Sequence, residues 1–162
     1  MSSNKKQIVG VISDTHGLLH PEVLQVFSDV SLILHAGDIG RPEVLDGLRT
    51  LAPVVAIRGN NDKESWAKRI PEFEVVRVGT ISIYMLHDVK EMKLNPPPRK
   101  VHVVISGHSH RPQIEQREGI LFVNPGSAGP RRFKLPISIA RLIIRNSDAR
   151  AELIELPVRR TE

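Results

Sequence analysis

The chain has 162 residues, no cysteine and a formal net charge of +5 at pH 7. Without cysteine it can form neither a disulfide nor a thiolate zinc site, and its length fits one domain over residues 1–162 with a buried core. No run of 18 apolar residues and no apolar leader is present, so the sequence predicts a cytoplasmic protein that does not engage a membrane.

The excess positive charge is spread along the chain, with a denser group at Arg131, Arg132 and Lys134. Such charge belongs either to solvated surface or to the attraction of an anionic substrate. Aromatic residues make up 4% of the chain and form no stripe with basic residues. The sequence therefore argues against a nucleic-acid partner.

Strands and helices alternate in the first half of the chain. The predicted strands are Ile8–Ser13, Leu32–His35 and Val54–Ile57, and the predicted helices are Pro21–Asp29, Pro42–Leu51 and Lys63–Arg69. Pro21 suits a helix start because its missing N–H costs nothing there. Asp62 is a candidate N-cap of the third helix or a brace of its loop. This alternation predicts a parallel sheet.

The second half is rich in strands, and it predicts antiparallel pairing. One strand, Val101–Ile105, is predicted on its own. Three pairs of predicted strands flank short turns. These pairs are Glu74–Val78 with Thr80–Leu86, Gln113–Arg117 with Ile120–Val123, and Ile137–Ile144 with Ala149–Ile154. We expect a parallel half and an antiparallel half that form two sheets packed face to face, with helices outside.

Side chains of the kind that bind metals follow five of the predicted strands. They are Asp14 and His16, Asp38, Asn60, His87, and His108 and His110. Ligands of open α/β sheets bind outside the carboxyl ends of the strands, so we expect these side chains to converge. Residues two apart in extended backbone point to one face, so Asp14 with His16, and His108 with His110, should each aim at one place.

The mixture of imidazoles and carboxylates favours Mn, Fe, Ni, Co or Zn over Ca. A tight turn is predicted at Asn124–Ser127 because of its Pro-Gly step, and it would shape the wall of the site. His35 lies three residues before Asp38 and is a candidate support for the site.

These motifs resemble those of the calcineurin-like metallophosphoesterases, in particular the small bacterial and archaeal phosphodiesterases without a cap. Ser-Asp-Thr-His-Gly, His-Ala-Gly-Asp, Arg-Gly-Asn-Asn-Asp and Ser-Gly-His-Ser-His occur in the family's order, and Asn-Pro-Gly-Ser resembles a motif of that subgroup. The resemblance implies an α/β fold, a four-layer αββα sandwich of two mixed β-sheets flanked by helices.

The resemblance also implies a ligand scheme for two divalent ions. Asp14, His16 and His110 would hold one ion, Asn60, His87 and His108 the other, and Asp38 would bridge them. Manganese is the first choice, with Ni, Co, Fe, Zn or Mg as alternatives. The implied reaction is hydrolysis of a small phosphate ester by in-line attack of a hydroxide that bridges the ions. The catalytic candidates are Asn60, Asn61 and His108.

Two positions depart from the family pattern. Many members have a histidine where this chain has Asn61, and an amide can donate a hydrogen bond but cannot act as a general acid at neutral pH. Asp88 stands where the family usually has glycine. Its carboxylate would repel phosphate, support His87 or point away, and the sequence does not choose between these.

Other functions compete with hydrolysis. One is a protein-binding scaffold on the same fold, like the retromer subunit that resembles this family but has a degraded metal site, and the complete ligand set argues against it. Another is a nuclease, but related nucleases carry extra segments for which 162 residues leave no room. Relatives often assemble as homo-oligomers, although no interface is legible in the sequence.

Overall fold

Two five-stranded sheets form the described part of the computed structural model, which comprises residues 5–132 and 134–158. In the first sheet the order is β10-β9-β1-β2-β3, and the strands are β1 Gln7–Ile12, β2 Leu32–His35, β3 Val54–Ala56, β9 Ser138–Arg145 and β10 Asp148–Glu155. In the second sheet the order is β4-β5-β6-β8-β7, and the strands are β4 Phe73–Val78, β5 Ile81–Leu86, β6 Val103–Ile105, β7 Gln113–Arg117 and β8 Ile120–Asn124.

Both sheets are mixed, as the resemblance implied. β1, β2 and β3 are parallel, and β9 joins them antiparallel to β1. In the second sheet β5, β6 and β8 are parallel, with β4 and β7 antiparallel at the edges. The division into a parallel half and an antiparallel half is therefore wrong. β9 carries buried apolar residues on both faces, with Ile139 towards the helices and Leu142 towards the other sheet, and such residues favour an interior position for the strand.

The outer face of the first sheet is covered by two helices, α1 Pro21–Val26 and α2 Pro42–Arg49. The outer face of the second sheet is covered by a short 3-10 helix, Val89–Lys93, that packs on Tyr84 and Val104. The helix predicted at Lys63–Arg69 is reduced to a 3-10 turn, Ser65–Ala67, with Glu64 at its N-cap. No helix among the described residues is long and apolar enough to cross a bilayer.

The loops that follow the carboxyl ends of the parallel strands lie next to one another. The loop after β1 is tied to the loop after β2 by the bond from Asp14 N to Gly37 O, 3.0 Å long. The loop after β5 is tied to the loop after β6 by the bond from Gly107 N to His87 O, 2.9 Å long. The loops of the two sheets meet where His87 Nδ1 lies 2.7 Å from Ala36 O and where His108 N donates to Asp14 Oδ2 over 3.0 Å, and the predicted ligands lie there.

Candidate metal centre

Two carboxylates and three imidazoles meet where the two sheets face each other. Asp14 Oδ1 lies 3.4 Å from His110 Nε2, 3.7 Å from His87 Nε2 and 3.9 Å from His16 Nε2. Asp38 Oδ2 lies 3.2 Å from His87 Nε2 and 4.0 Å from His16 Nε2. The donor atoms form two overlapping groups, Asp14 with His16 and His110, and Asp14 with Asp38 and His87, each within 4.8 Å.

Several of these polar atoms are buried without a hydrogen-bond partner. Asp14 Oδ1, His87 Nε2 and His110 Nδ1 are in this state, although buried polar atoms in proteins are almost always paired. His87 Nδ1 lies 2.7 Å from the carbonyl oxygen of Ala36, which can only accept, so Nδ1 carries a proton and Nε2 is the atom free to bind a metal. These donor atoms thus fit divalent metal ions by their chemical type and because several of them have no hydrogen-bond partner.

Charges couple strongly within the cluster. Burial acts to raise the pKa of Asp38, but the neighbouring His87 and the backbone N–H of Asn61 outweigh it and lower the pKa to about 2. Burial likewise acts to lower the pKa of His87, but the carboxylates of Asp38 and Asp14 raise it to about 9. Without metal, His87 is therefore a cation beside Asp38 at neutral pH, and a metal ion would take the place of its Nε2 proton.

The backbone of the ligand residues is left-handed. Among the described residues, seven non-glycine residues have positive φ, and five of them are Asp14, His16, Asp38, His108 and His110, with φ between 46° and 71°. Such a conformation costs of order 1–3 kcal/mol per residue and concentrates at functional sites. The prediction that the ligand pairs sit in extended backbone is therefore wrong, because each strand ends before its ligands and the chain reverses sharply there.

His108 and His110 consequently point to different places. His110 joins Asp14 and His16, with its Nε2 3.3 Å from His16 Nε2. The ring of His108 packs edge-on against His87 with centroids 5.2 Å apart, and its Nε2 lies 3.7 Å from Asp88 Oδ2. The prediction that His108 and His110 aim at one place is therefore wrong. Their separation agrees with the ligand scheme in which the two histidines serve different ions.

Asn60 lies outside the tight cluster but close to it. It is exposed and lines a cavity of about 280 Å³ together with His87, His108 and Asp88. Five of the seven predicted ligands thus meet directly, and Asn60 and His108 stand at the rim on the side of His87. The assignment of all seven as ligands stays a prediction.

Comparison with known proteins identifies the family. Residues 8–147 match the calcineurin-like phosphoesterase superfamily domain. The chain belongs to this superfamily. It is 38% identical over 158 residues to a probable metallophosphoesterase of Methanothermobacter thermautotrophicus, covering 91% of each chain. It is 30% identical over 137 residues to a phosphodiesterase of Methanocaldococcus jannaschii, covering 73% of this chain and 82% of the relative.

Solved structures agree with this membership. A predicted phosphoesterase from Streptococcus pneumoniae superimposes with a TM-score of 0.73 at 25% identity, over 94% of this chain and 91% of that chain. Vps29 from Entamoeba histolytica, solved in complex with Zn²⁺, superimposes with a TM-score of 0.72 at 25% identity, over 92% of this chain and 99% of that chain. Both confirm the two-sheet metallophosphoesterase fold.

The two departures from the superfamily pattern have defined places. The backbone N–H of Asn61 donates to Asp38 Oδ1 over 2.9 Å, and its side-chain Nδ2 donates to Asp38 Oδ2 over 3.0 Å. Asn61 therefore orients the carboxylate of Asp38 from the outside. Asp88 caps the 3-10 helix Val89–Lys93 by accepting from Lys90 N over 3.1 Å, and it faces His108 rather than His87.

Asp62 braces the loops of this candidate site instead of capping a helix. Its carboxylate accepts from the backbone N–H groups of Ile39, Gly40 and Gly59 over 2.9–3.1 Å. It thereby joins the loop that carries Asp38 to the loop that carries Asn60. Asn124 ties the wall of the site in a similar way, because its Nδ2 donates to Gly107 O over 3.0 Å and its Oδ1 accepts from Gly126 N.

His35 is a second brace that the sequence only hinted at. Its Nδ1 accepts from Gly37 N over 3.1 Å, so its Nε2 is the protonated nitrogen and donates to Thr15 Oγ1 over 3.0 Å. Thr15 Oγ1 then donates to Ile39 O over 2.8 Å. Full burial, opposed in part by Asp14 and Asp62, lowers the pKa of His35 to about 4. A neutral His35 therefore holds the loops after β1 and β2 together.

The His35 brace predicts an acid-dependent loss of stability. The folded-state pKa of about 4 lies below the unfolded value of 6.5, so the unfolded chain binds the extra proton between these values. The stabilisation is complete above pH 6.5 and falls as the pH drops towards 4, by about 3 kcal/mol. Urea unfolding of metal-free protein between pH 4 and 8 measures this fall. A His35→Gln variant can keep both hydrogen bonds without titrating, and an equally steep pH dependence in that variant would contradict the assignment.

Proposed function

We propose that this superfamily member is a phosphodiesterase that depends on two divalent metal ions, with manganese as the first choice. The observation that carries the proposal is the meeting of Asp14, Asp38, His16, His87 and His110 with donor atoms 3.2–4.0 Å apart, two of which are buried without a hydrogen bond. When bound, such ions supply a hydroxide nucleophile at neutral pH and neutralise charge on the phosphoryl oxygens.

The residues divide into two ligand sets in this proposal. Asp14, His16 and His110 hold the first ion, and Asn60, His87 and His108 hold the second. Asp38 bridges the two ions in this proposal, and its distances of 3.2 Å to His87 Nε2 and 4.0 Å to His16 Nε2 support that role. Asp14 Oδ1 lies comparably close to both histidines. Asn61 fixes the orientation of Asp38, and Asn60 and His108 stand at the open side, where they can contact the phosphate ester.

Positive charge near the site favours an anionic substrate. Burial lowers the pKa of His16, the carboxylates of Asp38 and Asp14 oppose this, and the positive charge of Arg132 adds a small contribution to the lowering. Arg131 instead donates to the carbonyl oxygens of Leu135 and Val158 and supports the loop. Two divalent ions, two aspartates and a hydroxide leave a charge of about +1, which suits a singly charged diester.

The proposal is tested by turnover of bis-p-nitrophenyl phosphate. Metal-stripped protein receives Mn²⁺, Ni²⁺, Co²⁺, Mg²⁺ or Zn²⁺ singly, with p-nitrophenyl phosphate run in parallel. We expect cleavage only after metal is added, fastest with Mn²⁺ and faster for the diester than for the monoester. Absence of cleavage of either ester by protein that has bound metal would contradict the proposal.

A protein-binding role is the second candidate, and the similarity to Vps29 structures favours it. In that case metal would bind without turnover of any ester, and a partner protein would be retained on the immobilised chain. The similarity to relatives named as metallophosphoesterase and phosphodiesterase supports hydrolysis over this role. A small phosphate ester as the substrate and a cytoplasmic location remain part of the main proposal.

A further inference from the structure

A second cavity lies on the other side of His108. It has a volume of about 210 Å³ and is bounded at the metal end by His108, Ser109 and Asn124. At its far end it is bounded by Phe122 and Arg117. The cavity therefore leads away from the candidate metal centre, along the outer face of the second sheet.

Strand register sets the floor of this cavity. Gln113 pairs with Asn124, Glu115 with Phe122 and Arg117 with Ile120 in the antiparallel pair β7–β8. Side chains two residues apart share a face of a sheet, and Phe122 belongs to the apolar cluster on the outer face. Phe122 thus lies about 7 Å along the strand from Asn124, whose amide contacts the loop that carries His108.

Arg117 forms a flat platform over this floor. Its guanidinium carbon lies 4.3 Å from the centroid of the Phe122 ring, and its Nε lies 3.4 Å from Glu115 Oε1. These two contacts fix the side chain from below and from the edge. The side chain is still 54% exposed and lines the cavity, so its guanidinium is accessible to a ligand there.

We propose that this cavity binds a planar heteroaromatic substituent of the phosphodiester, of the nucleobase class, stacked on the guanidinium of Arg117. The inference rests on the proposed phosphodiesterase function and names its substrate class. Guanidinium planes and aromatic rings are the surfaces on which proteins stack bases. The 280 Å³ cavity on the other side of His108 also holds a guanidinium, that of Arg58, which pairs with Glu72 over 3.2 Å. Its lining contains no Phe, Tyr or Trp to support that guanidinium from below, as Phe122 supports Arg117.

In this proposal the phosphate of the nucleotide lies at the metal centre and its base on Arg117. About 7 Å of strand separates Asn124, beside the His108 loop, from Phe122 beneath the Arg117 platform. A sugar spans the gap between phosphate and base, and the side chains of Ser109 and Gln113 offer it polar contacts. A diester would therefore place its nucleoside on this side and its other substituent towards Asn60.

The test compares binding of adenosine 5′-monophosphate and ribose 5-phosphate to Mn²⁺-loaded protein by calorimetry. The two ligands share the phosphate and the sugar, so the ratio of their affinities isolates the base. We expect the nucleotide to bind about tenfold more tightly. Arg117→Ala should remove this preference, and Arg117→Lys should remove most of it, because an ammonium keeps the charge but has no plane.

The matched control is Arg150→Ala, which removes an exposed arginine from β10 of the other sheet and should leave the ratio unchanged. Equal affinities for the two ligands, binding of neither, or an equal loss for both in Arg117→Ala would overturn the inference. Because binding needs no turnover, a failure of bis-p-nitrophenyl phosphate cleavage would count against the proposed function alone.

Discussion

Asp38→Asn is expected to abolish turnover and to empty the metal centre. The amide preserves the size of the side chain but removes the negative charge that lies 3.2 Å from His87 Nε2 and 4.0 Å from His16 Nε2. It also turns an N–H donor towards Asn61, whose own amide now donates to Asp38 Oδ2. Even an outer partner of a ligand is worth 10–100-fold in affinity or activity, so we expect a loss of more than about 100-fold.

Metal content per chain and cleavage of bis-p-nitrophenyl phosphate measure the Asp38→Asn effect. A third measurement does not depend on metal: the pKa of His87, about 9 in the wild type, should fall in the metal-free variant, because its main negative neighbour is gone. Asp46→Asn is the matched control, since Asp46 is an exposed residue of α2 that pairs with Arg49 at the surface. Metal-dependent turnover that survived in Asp38→Asn would show that Asp38 does not bridge the ions.

Gly107→Ala is expected to disrupt the centre without changing any ligand. A methyl group at Gly107 would overlap Ser13 Oγ and lie 2.6 Å from Asp14 Oδ2. That carboxylate oxygen accepts from Ser13 Oγ over 2.8 Å and from His108 N over 3.0 Å, so it has no room to move. Overpacking of this kind costs about 1–3 kcal/mol. Displacement of Asp14 should weaken metal binding by at least about tenfold.

Urea unfolding of metal-free protein and calorimetry with Mn²⁺ separate the two effects of Gly107→Ala. Gly79→Ala is the control, because Gly79 lies in the β4–β5 turn with φ +61° and has open space around it. The control should lose about 1–2 kcal/mol through its left-handed backbone and keep its affinity for Mn²⁺. Unchanged Mn²⁺ affinity in Gly107→Ala would mean that the loops yield enough to accept a methyl group.

The order of strands and ligands could be predicted from the sequence because each rests on a local pattern. Apolar runs define the strands, and the residues after them need no further information to be placed at the carboxyl ends. β2 begins and ends at the predicted residues, and β1 and β3 differ by one residue at their ends. The resemblance of the motifs to the family predicted two mixed sheets, and the observed topology agrees.

Interactions between loops could not be predicted in the same way. Asp62 precedes a stretch with helical character, so the sequence predicts either a helix cap or a brace of its loop. The structure has the brace: the carboxylate accepts from Gly59 N in its own loop and from Ile39 N and Gly40 N in the loop after β2. The left-handed backbone at Asp14 and Asp38 is also set by its surroundings. The sequence indicates this left-handed backbone only through nearby glycines. Gly17, Gly37 and Gly40 have positive φ in the structure.

The donors of the metal centre come from both sheets. Asp14, His16 and Asp38 follow strands of the first sheet, whereas His87 and His110 follow strands of the second. An ion held by Asp14 and His110 would therefore act as a clamp between two layers that otherwise adhere through the apolar core and a few polar bonds, such as the one between His87 Nδ1 and Ala36 O. Metal binding would then also stabilise the association of the two sheets, so loss of the ion would weaken the contact between them.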